Sequence, residues 1–240
     1  METGRNYNYI KENLETVRAG LSAVAEEAGR KSPPVLIAAV KYADEAEIAT
    51  LLSSGVTDVG ENRVQQLTER APLYEASGTR VHFIGTLQKN KVKYVLGRVC
   101  MIESLDSVAL AAEIDRLAKN RGLSPIECLL EVNIGQEENK GGILPQELFS
   151  VYEQIAAFSH ISVRGLMTIA PFTADRAQRT AYFSQTEKLY ERLCKDYLPP
   201  RTQPLLSMGM TESFEEAILC GADLVRIGTG IFGARTTANP

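Results

Sequence analysis

Two rhythms of apolar and polar positions divide the chain. Over residues 6–28, Ile10, Leu14, Val17, Leu21, Val24 and Ala28 recur at steps of four and three. That spacing draws one apolar stripe down a helix, and Gly29 supplies its stop. After Pro33-Pro34 short apolar runs take over, at 35–40, 57–60, 80–85, 99–104, 126–133, 161–167, 204–208 and 223–228. They read as strands, and amphipathic stretches near 44–54, 61–76, 89–97, 106–121, 145–158, 175–196 and 211–220 predict helices between them. The punctuation agrees: Gly55, Gly122 and Gly221 follow predicted helix ends, Asp106 suits a cap, and Pro145 suits a first turn.

Strands alternating with helices imply parallel pairing. A doubly wound open sheet and a closed barrel compete. Eight strands in 240 residues favour an α/β fold of the (β/α)8 TIM-barrel type, with an extra N-terminal helix. No shift of composition marks a boundary, so one domain is expected over 1–240, with the helix in 1–30 and the barrel over 35–235.

In such a barrel ligands bind at the C-terminal strand ends. Lys41, Gly60-Glu61-Asn62, His82 to Gly85, Asn133, Met167, Ser207 and Arg226 to Thr229 all fall there. Lys41 is the strongest candidate. Desolvation at a strand end disfavours the ammonium and frees the amine as a nucleophile toward carbonyls. A lysine that points outward to water is the plainer alternative. Two glycine-rich stretches follow the last two strands: Ser207 and Gly209 in one, Gly228, Thr229 and Gly230 in the other. Such turns let backbone N–H groups approach an anion, and loops in this place often hold phosphate. Together with Lys41 they point to a phosphorylated carbonyl ligand held as a Schiff base.

The totals narrow the classes. The formal net charge of -4 gives no general attraction to nucleic acid, and no apolar run approaches the roughly 20 residues of a membrane span. The polar, acidic N-terminus has neither a signal-peptide nor a transit-peptide pattern, so a cytoplasmic protein is expected. Cys100, Cys128, Cys194 and Cys220 form no C-x-x-C pair and read as reduced thiols. His82 and His160 lack metal-ligand spacing, and no metal site is expected. His82 reads as a satisfied polar position in the barrel, His160 as surface, and Lys89, Lys91 and Lys93 as a solvated face.

The stretches AAVKYADEAEI, DVGENRVQQL, HFIGTLQKNK, EVNIGQEENKGGI, RGLMTIAP, LSMGMTESFEEAI and VRIGTGIFGAR run in order from about residue 35 to 235. In that order they closely resemble the pyridoxal phosphate homeostasis protein family, whose fold is a barrel like the alanine racemase N-terminal domain. The resemblance implies pyridoxal phosphate (PLP) as cofactor, carried by Lys41 as an internal aldimine. It implies phosphate contacts from Ser207, Gly209 and the backbone of Gly228 and Thr229, with Met210 and Thr211 adjoining. Asn62 would line the pocket, Ile84 and Met167 would form apolar wall, and Arg226 would face the pyridine nitrogen. Lys91 and Lys140 match loop lysines of the family and would contact ligand or partners. Val40, Asp44, Arg63 and Thr86 depart from the family's usual residues at the pocket rim.

An arginine facing the ring nitrogen has no proton to spare, so the ring stays neutral and is the weaker electron sink. The role the resemblance implies is intracellular PLP homeostasis and amino-acid balance without established turnover. PLP-dependent apoenzymes are the candidate recipients, and a monomer is expected. An amino-acid racemase or related PLP enzyme is the alternative, and a Schiff-base aldolase acting on a sugar phosphate is a third. Glu61 is left open between a base and a side chain that holds a neighbouring loop.

Overall fold

The computed structural model describes residues 6–234. Residues 1–5 and 235–240, with Arg235 at the end of the predicted barrel, lie outside the described residues. Helix α1 (Asn8–Glu27) precedes β1 (Val35–Ala39), α2 (Glu45–Ser53), β2 (Asp58–Glu61), α3 (Val64–Ser77) and β3 (Arg80–Phe83). A 3-10 turn (Lys89–Lys91) then runs into α4 (Val92–Val95), followed by β4 (Met101–Leu105), α5 (Val108–Asn120), β5 (Ile126–Val132) and α6 (Leu148–Ile155). The chain continues through β6 (Ile161–Thr168), α7 (Arg176–Asp196), β7 (Leu205–Ser207), α8 (Phe214–Leu219), β8 (Leu224–Ile227) and α9 (Thr229–Phe232). Each strand pairs in parallel with the next, and β8 returns to β1 to close the barrel.

The strands read as mainly apolar runs because both of their faces are covered. Ala38, Val59, Val81, Phe83, Ile102, Cys128 and Leu130 join the large core shared with the helices. Ile37, Met101, Leu129, Met167 and Leu224 form a second cluster, which lines the lumen. Each large side chain buried this way contributes about 1.5–3 kcal/mol. Helix α1 lies outside the ring against α8, α9 and α2. Asn13 donates to Ile231 O at 2.9 Å and Arg30 to Ala222 O at 2.6 Å, which ties this helix to the end of the barrel.

Several local expectations are corrected. Ser107, not Asp106, caps α5: its hydroxyl accepts from Leu110 N at 3.3 Å, while Asp106 accepts from that hydroxyl at 2.9 Å. Pro145 sits in a turn before α6 rather than in its first turn. Glu61 still belongs to β2, so α3 begins only at Val64. In α1 Ala25 is buried while Val24 and Ala28 are only half-buried, because a stripe drifts around a helix of about 3.6 residues per turn.

An irregularity in β4 matters for the interior. Its register against β5 shifts between Ile102↔Cys128 and Leu105↔Leu130. One extra residue is absorbed there, as in a β-bulge, so Ile102 and Leu105, three positions apart, both join the outer core, while Glu103 keeps the lumen side that Met101 takes by alternation.

Candidate functional site

Side chains of a strand alternate between its two faces. Extended past the strand ends, the lumen-facing series runs to Lys41 after β1, Asn62 after β2 and Ile84 after β3, with Glu131 near the end of β5. Gly209 from β7 and Arg226 and Gly228 from β8 complete the ring. Met167 lies deeper, fully buried in the lumen cluster. Ile84 is buried above Gly60, where an added Cβ would come within 2.6 Å of the Ile84 Cδ1.

Lys41 stands just past the last ladder bond of β1, Val40 N to Gly60 O at 3.2 Å. It is exposed, with Nζ 4.9 Å from the Tyr42 ring centroid. The desolvation expected at this amine is therefore not provided by the barrel wall; the residue lies beyond the strand, on a turn. That turn is rigidly held. Arg70 Nη1 donates to Val40 O at 3.1 Å, Arg70 Nη2 to Ala43 O at 2.6 Å, and Gln66 Nε2 to Lys41 O at 3.1 Å. Glu61 points away from the lumen and accepts from Arg70 Nη1 at 3.0 Å and from the Tyr74 hydroxyl at 2.6 Å. Of its two open readings, holding a neighbouring loop is the one the geometry supports. Burial raises the pKa of the Glu61 carboxyl, against the Tyr74 hydrogen bond and Arg70.

Asn62 is half-buried, and its Oδ1 is buried without a hydrogen-bond partner. Its backbone carbonyl oxygen would lie 2.2 Å from a Cβ at Gly85, so only glycine lets the chain leaving β3 pass this close.

Behind the mouth a hydrogen-bonded line crosses the barrel. His82 Nε2 meets Asp58 Oδ1 at 3.0 Å and Nδ1 meets Glu103 Oε1 at 2.7 Å. The Ser207 hydroxyl donates to Glu103 Oε2 at 2.6 Å and accepts from Arg226 Nη1 at 2.6 Å, while Arg226 Nη2 donates to Thr168 O at 2.8 Å. All six residues are buried. Burial pushes the His82 imidazole down, but hydrogen bonds to Asp58, Cys100 and Glu103 outweigh it and hold the imidazolium up to about 11. Burial raises the Glu103 carboxyl, and His82 and Arg226 more than reverse that. His82 is thus a satisfied interior residue, as its sequence context suggests.

Ser207, expected at the phosphate, has its hydroxyl engaged inward. Gly209 has φ +91°, and a Cβ there would come within 2.6 Å of the Ala217 Cβ. This left-handed turn reverses the chain tightly onto α8. Met208 is fully buried, whereas Met210 is 42% exposed at the rim. Gly230 N donates to Thr211 Oγ1 at 3.1 Å, which joins the two glycine-rich loops. An added Cβ at Gly228 would lie 3.2 Å from Ala39 O, and Thr229 is exposed at the start of α9. Lys91 and Lys140 are exposed away from these contacts: Lys91 Nζ lies 5.9 Å from the Tyr94 ring centroid, and Lys140 pairs with Glu137 at 2.5 Å. His160 is half-buried on the outer shell beside Asp115.

Glu103, Glu131 and Arg70 were not singled out by sequence reasoning. Burial raises Glu131 to about 7, with Asp106 adding to the effect and Arg226 opposing it. The signal was present: a carboxylate inside the apolar runs of β4 and β5 poses the same question as a lysine ending β1.

Residues 9–236 match the family model described as alanine racemase, N-terminal domain. A pyridoxal phosphate homeostasis protein of Haemophilus influenzae is 36% identical over 239 residues, 98% of this chain and 97% of that protein. One of Aquifex aeolicus is 38% identical, covering 93% and 97%. The solved structure of PipY from Synechococcus elongatus with PLP bound superposes with a TM-score of 0.79 at 30% identity, covering 93% of this chain and all of that one. With its closed barrel, its strand-end lysine and its paired glycine loops, the chain belongs to the pyridoxal phosphate homeostasis protein family, built on the alanine racemase N-terminal domain.

Proposed function

We propose that this protein binds PLP reversibly on Lys41 and serves PLP homeostasis and amino-acid balance as a holder of the cofactor. One observation carries the reading: the turn bearing Lys41 and the glycine turn after β8 are immediate neighbours. A Cβ at Gly228 would lie 3.2 Å from Ala39 O, two residues before the lysine. That proximity supports an amine and a phosphate-binding turn working side by side.

The residues fit the group. When bound, PLP supplies an aldehyde that condenses reversibly with a primary amine and releases water. Lys41 offers that amine on a turn clamped by Arg70 and Gln66. The partnerless Asn62 Oδ1 supplies an acceptor in the same mouth. Gly209, Gly228 and Thr229 line the glycine turns, with Met210 at the rim. Arg226 presents a guanidinium that keeps its own protons and accepts none. Ile84 and Met167 supply apolar wall. We take PLP-dependent apoenzymes as recipients and a single-domain monomer as the working unit.

Borohydride reduction of the PLP-loaded protein, followed by peptide mass spectrometry, tests the assignment. The stable label is expected on Lys41; a label on another lysine refutes it.

A second reading, a PLP-dependent racemase or related enzyme, draws on Glu131. A lumen-side carboxyl near 7 is suited to moving protons at neutral pH. Exchange of amino-acid α-protons in deuterated water separates the two. Saturable exchange lost in Glu131→Gln would favour the enzyme.

A further inference from the structure

The buried line His82–Glu103–Ser207–Arg226 joins β3, β4, β7 and β8 across the lumen, with distances of 2.7, 2.6 and 2.6 Å. Its members are each at most 4% exposed. A serine hydroxyl has one proton to donate. Donation to Glu103 leaves an oxygen lone pair aimed at Arg226, which fixes the direction of the Nη1–H bond. Thr168 O takes an Nη2–H at 2.8 Å, so two bonds set the plane of the guanidinium. Glu103 cannot turn away, because its other oxygen holds His82, which is held in turn by Asp58 at 3.0 Å. Other charge facing Arg226 comes from Glu131 on β5.

We propose that Glu103 and His82 are positioning residues which, through the Ser207 hydroxyl, lock the Arg226 guanidinium and so govern the protonation of a pyridine nitrogen held against it. This rests on the PLP reading given above. Ser207 thereby acts as a link inside the barrel rather than through a side-chain contact with phosphate. The locked arginine keeps an approaching ring nitrogen neutral, since a cation at fixed distance opposes a second positive charge. A guanidinium free to rotate away would let that nitrogen take a proton.

The test uses the full chain with Ser207→Ala, which deletes the link with little change of volume, and Glu103→Gln as a second variant. In ligand-free protein, NMR of the Arg226 side-chain N–H groups reads the lock directly. Their solvent exchange is expected to speed up by about tenfold or more in both variants, with Ser207→Thr restoring slow exchange. In protein loaded with PLP labelled with nitrogen-15 in the ring, the nitrogen shift is titrated against pH. Its protonation midpoint is expected to rise by about one unit, tenfold in the equilibrium. Unchanged Arg226 exchange, or an unmoved ring-nitrogen midpoint beside faster exchange, overturns the proposal. Failure of the wild-type chain to take the borohydride label at Lys41 sinks the PLP reading instead, and the ligand-free measurement still judges the lock.

Discussion

Arg70 ties Glu61 to the turn that carries Lys41. The guanidinium of this residue, 9% exposed as a whole, lies 3.0 Å from the Glu61 carboxylate and spans to Val40 O and Ala43 O on either side of the lysine. Glu61 therefore lies outside the barrel, behind the strand, and reaches the lysine turn only through Arg70.

Removing the arginine should expose this. Arg70→Ala leaves Glu61 buried without its cation, and breaking a buried pair from one side costs about 3 kcal/mol. Urea unfolding should show that loss. Borohydride labelling of Lys41 at limiting PLP should also slow, because the turn loses two of its anchors. Unchanged labelling would separate the clamp from the amine.

Lys41→Ala should behave oppositely. The side chain is exposed, and surface changes usually shift stability by no more than about 0.5 kcal/mol. The variant is expected to unfold at nearly the wild-type urea concentration, yet to lose the stable PLP label and the yellow colour of the loaded protein. A large drop in stability would show that the lysine also serves the fold.

The interior charges predict a pH dependence of stability in the ligand-free protein. His82 is raised from 6.5 to about 11, so its contribution is complete below 6.5 and disappears as pH climbs through about 11. Glu131, raised from 4.5 to about 7, is favoured in its protonated form by the fold, so stability also falls as pH rises across that interval. Asp58 and Glu103 are lowered, and their contributions vanish only as pH falls below their ordinary range. Urea midpoints should therefore decline from mildly acidic toward alkaline pH. His82→Asn should flatten the decline above neutrality, and Glu131→Gln the part below it.

Gly209→Ala tests the turn after β7. The backbone there is left-handed at φ +91°, and the new methyl would meet Ala217 at 2.6 Å. Strain of this kind costs on the order of 1–3 kcal/mol. Lower thermal stability and weaker PLP retention are expected together. A variant that keeps both would show that the turn can relax without cost.

The barrel was legible because its cause is local. The run VLIAAV is apolar throughout and IECLLEV largely so, as strands covered on both faces require, and glycines at 55, 122 and 221 follow helix ends in the structure as they do in the sequence. Lys41 and the glycine turns were legible too, since a charge ending an apolar run and a cluster of glycines stand out without any partner. Helix starts were read less well: Ser107 took the cap from Asp106, and Glu61 stayed in its strand. Neighbouring polar residues compete for such places, and tertiary contacts settle the competition.

The order of elements, their two rhythms and the residues brought to the strand ends were thus set by the chain's own pattern, through interactions between residues a few positions apart. The partners of the buried polar groups were decided only by closure of the barrel. Ser207 and Glu103 are 104 positions apart and meet at 2.6 Å because β4 and β7 face each other across the lumen. The irregular step in β4, which returns Leu105 to the outer core three positions after Ile102, leaves no trace in hydrophobic periodicity. Alternation tells which face a side chain takes; what it meets there depends on the register and tilt of strands far away in sequence.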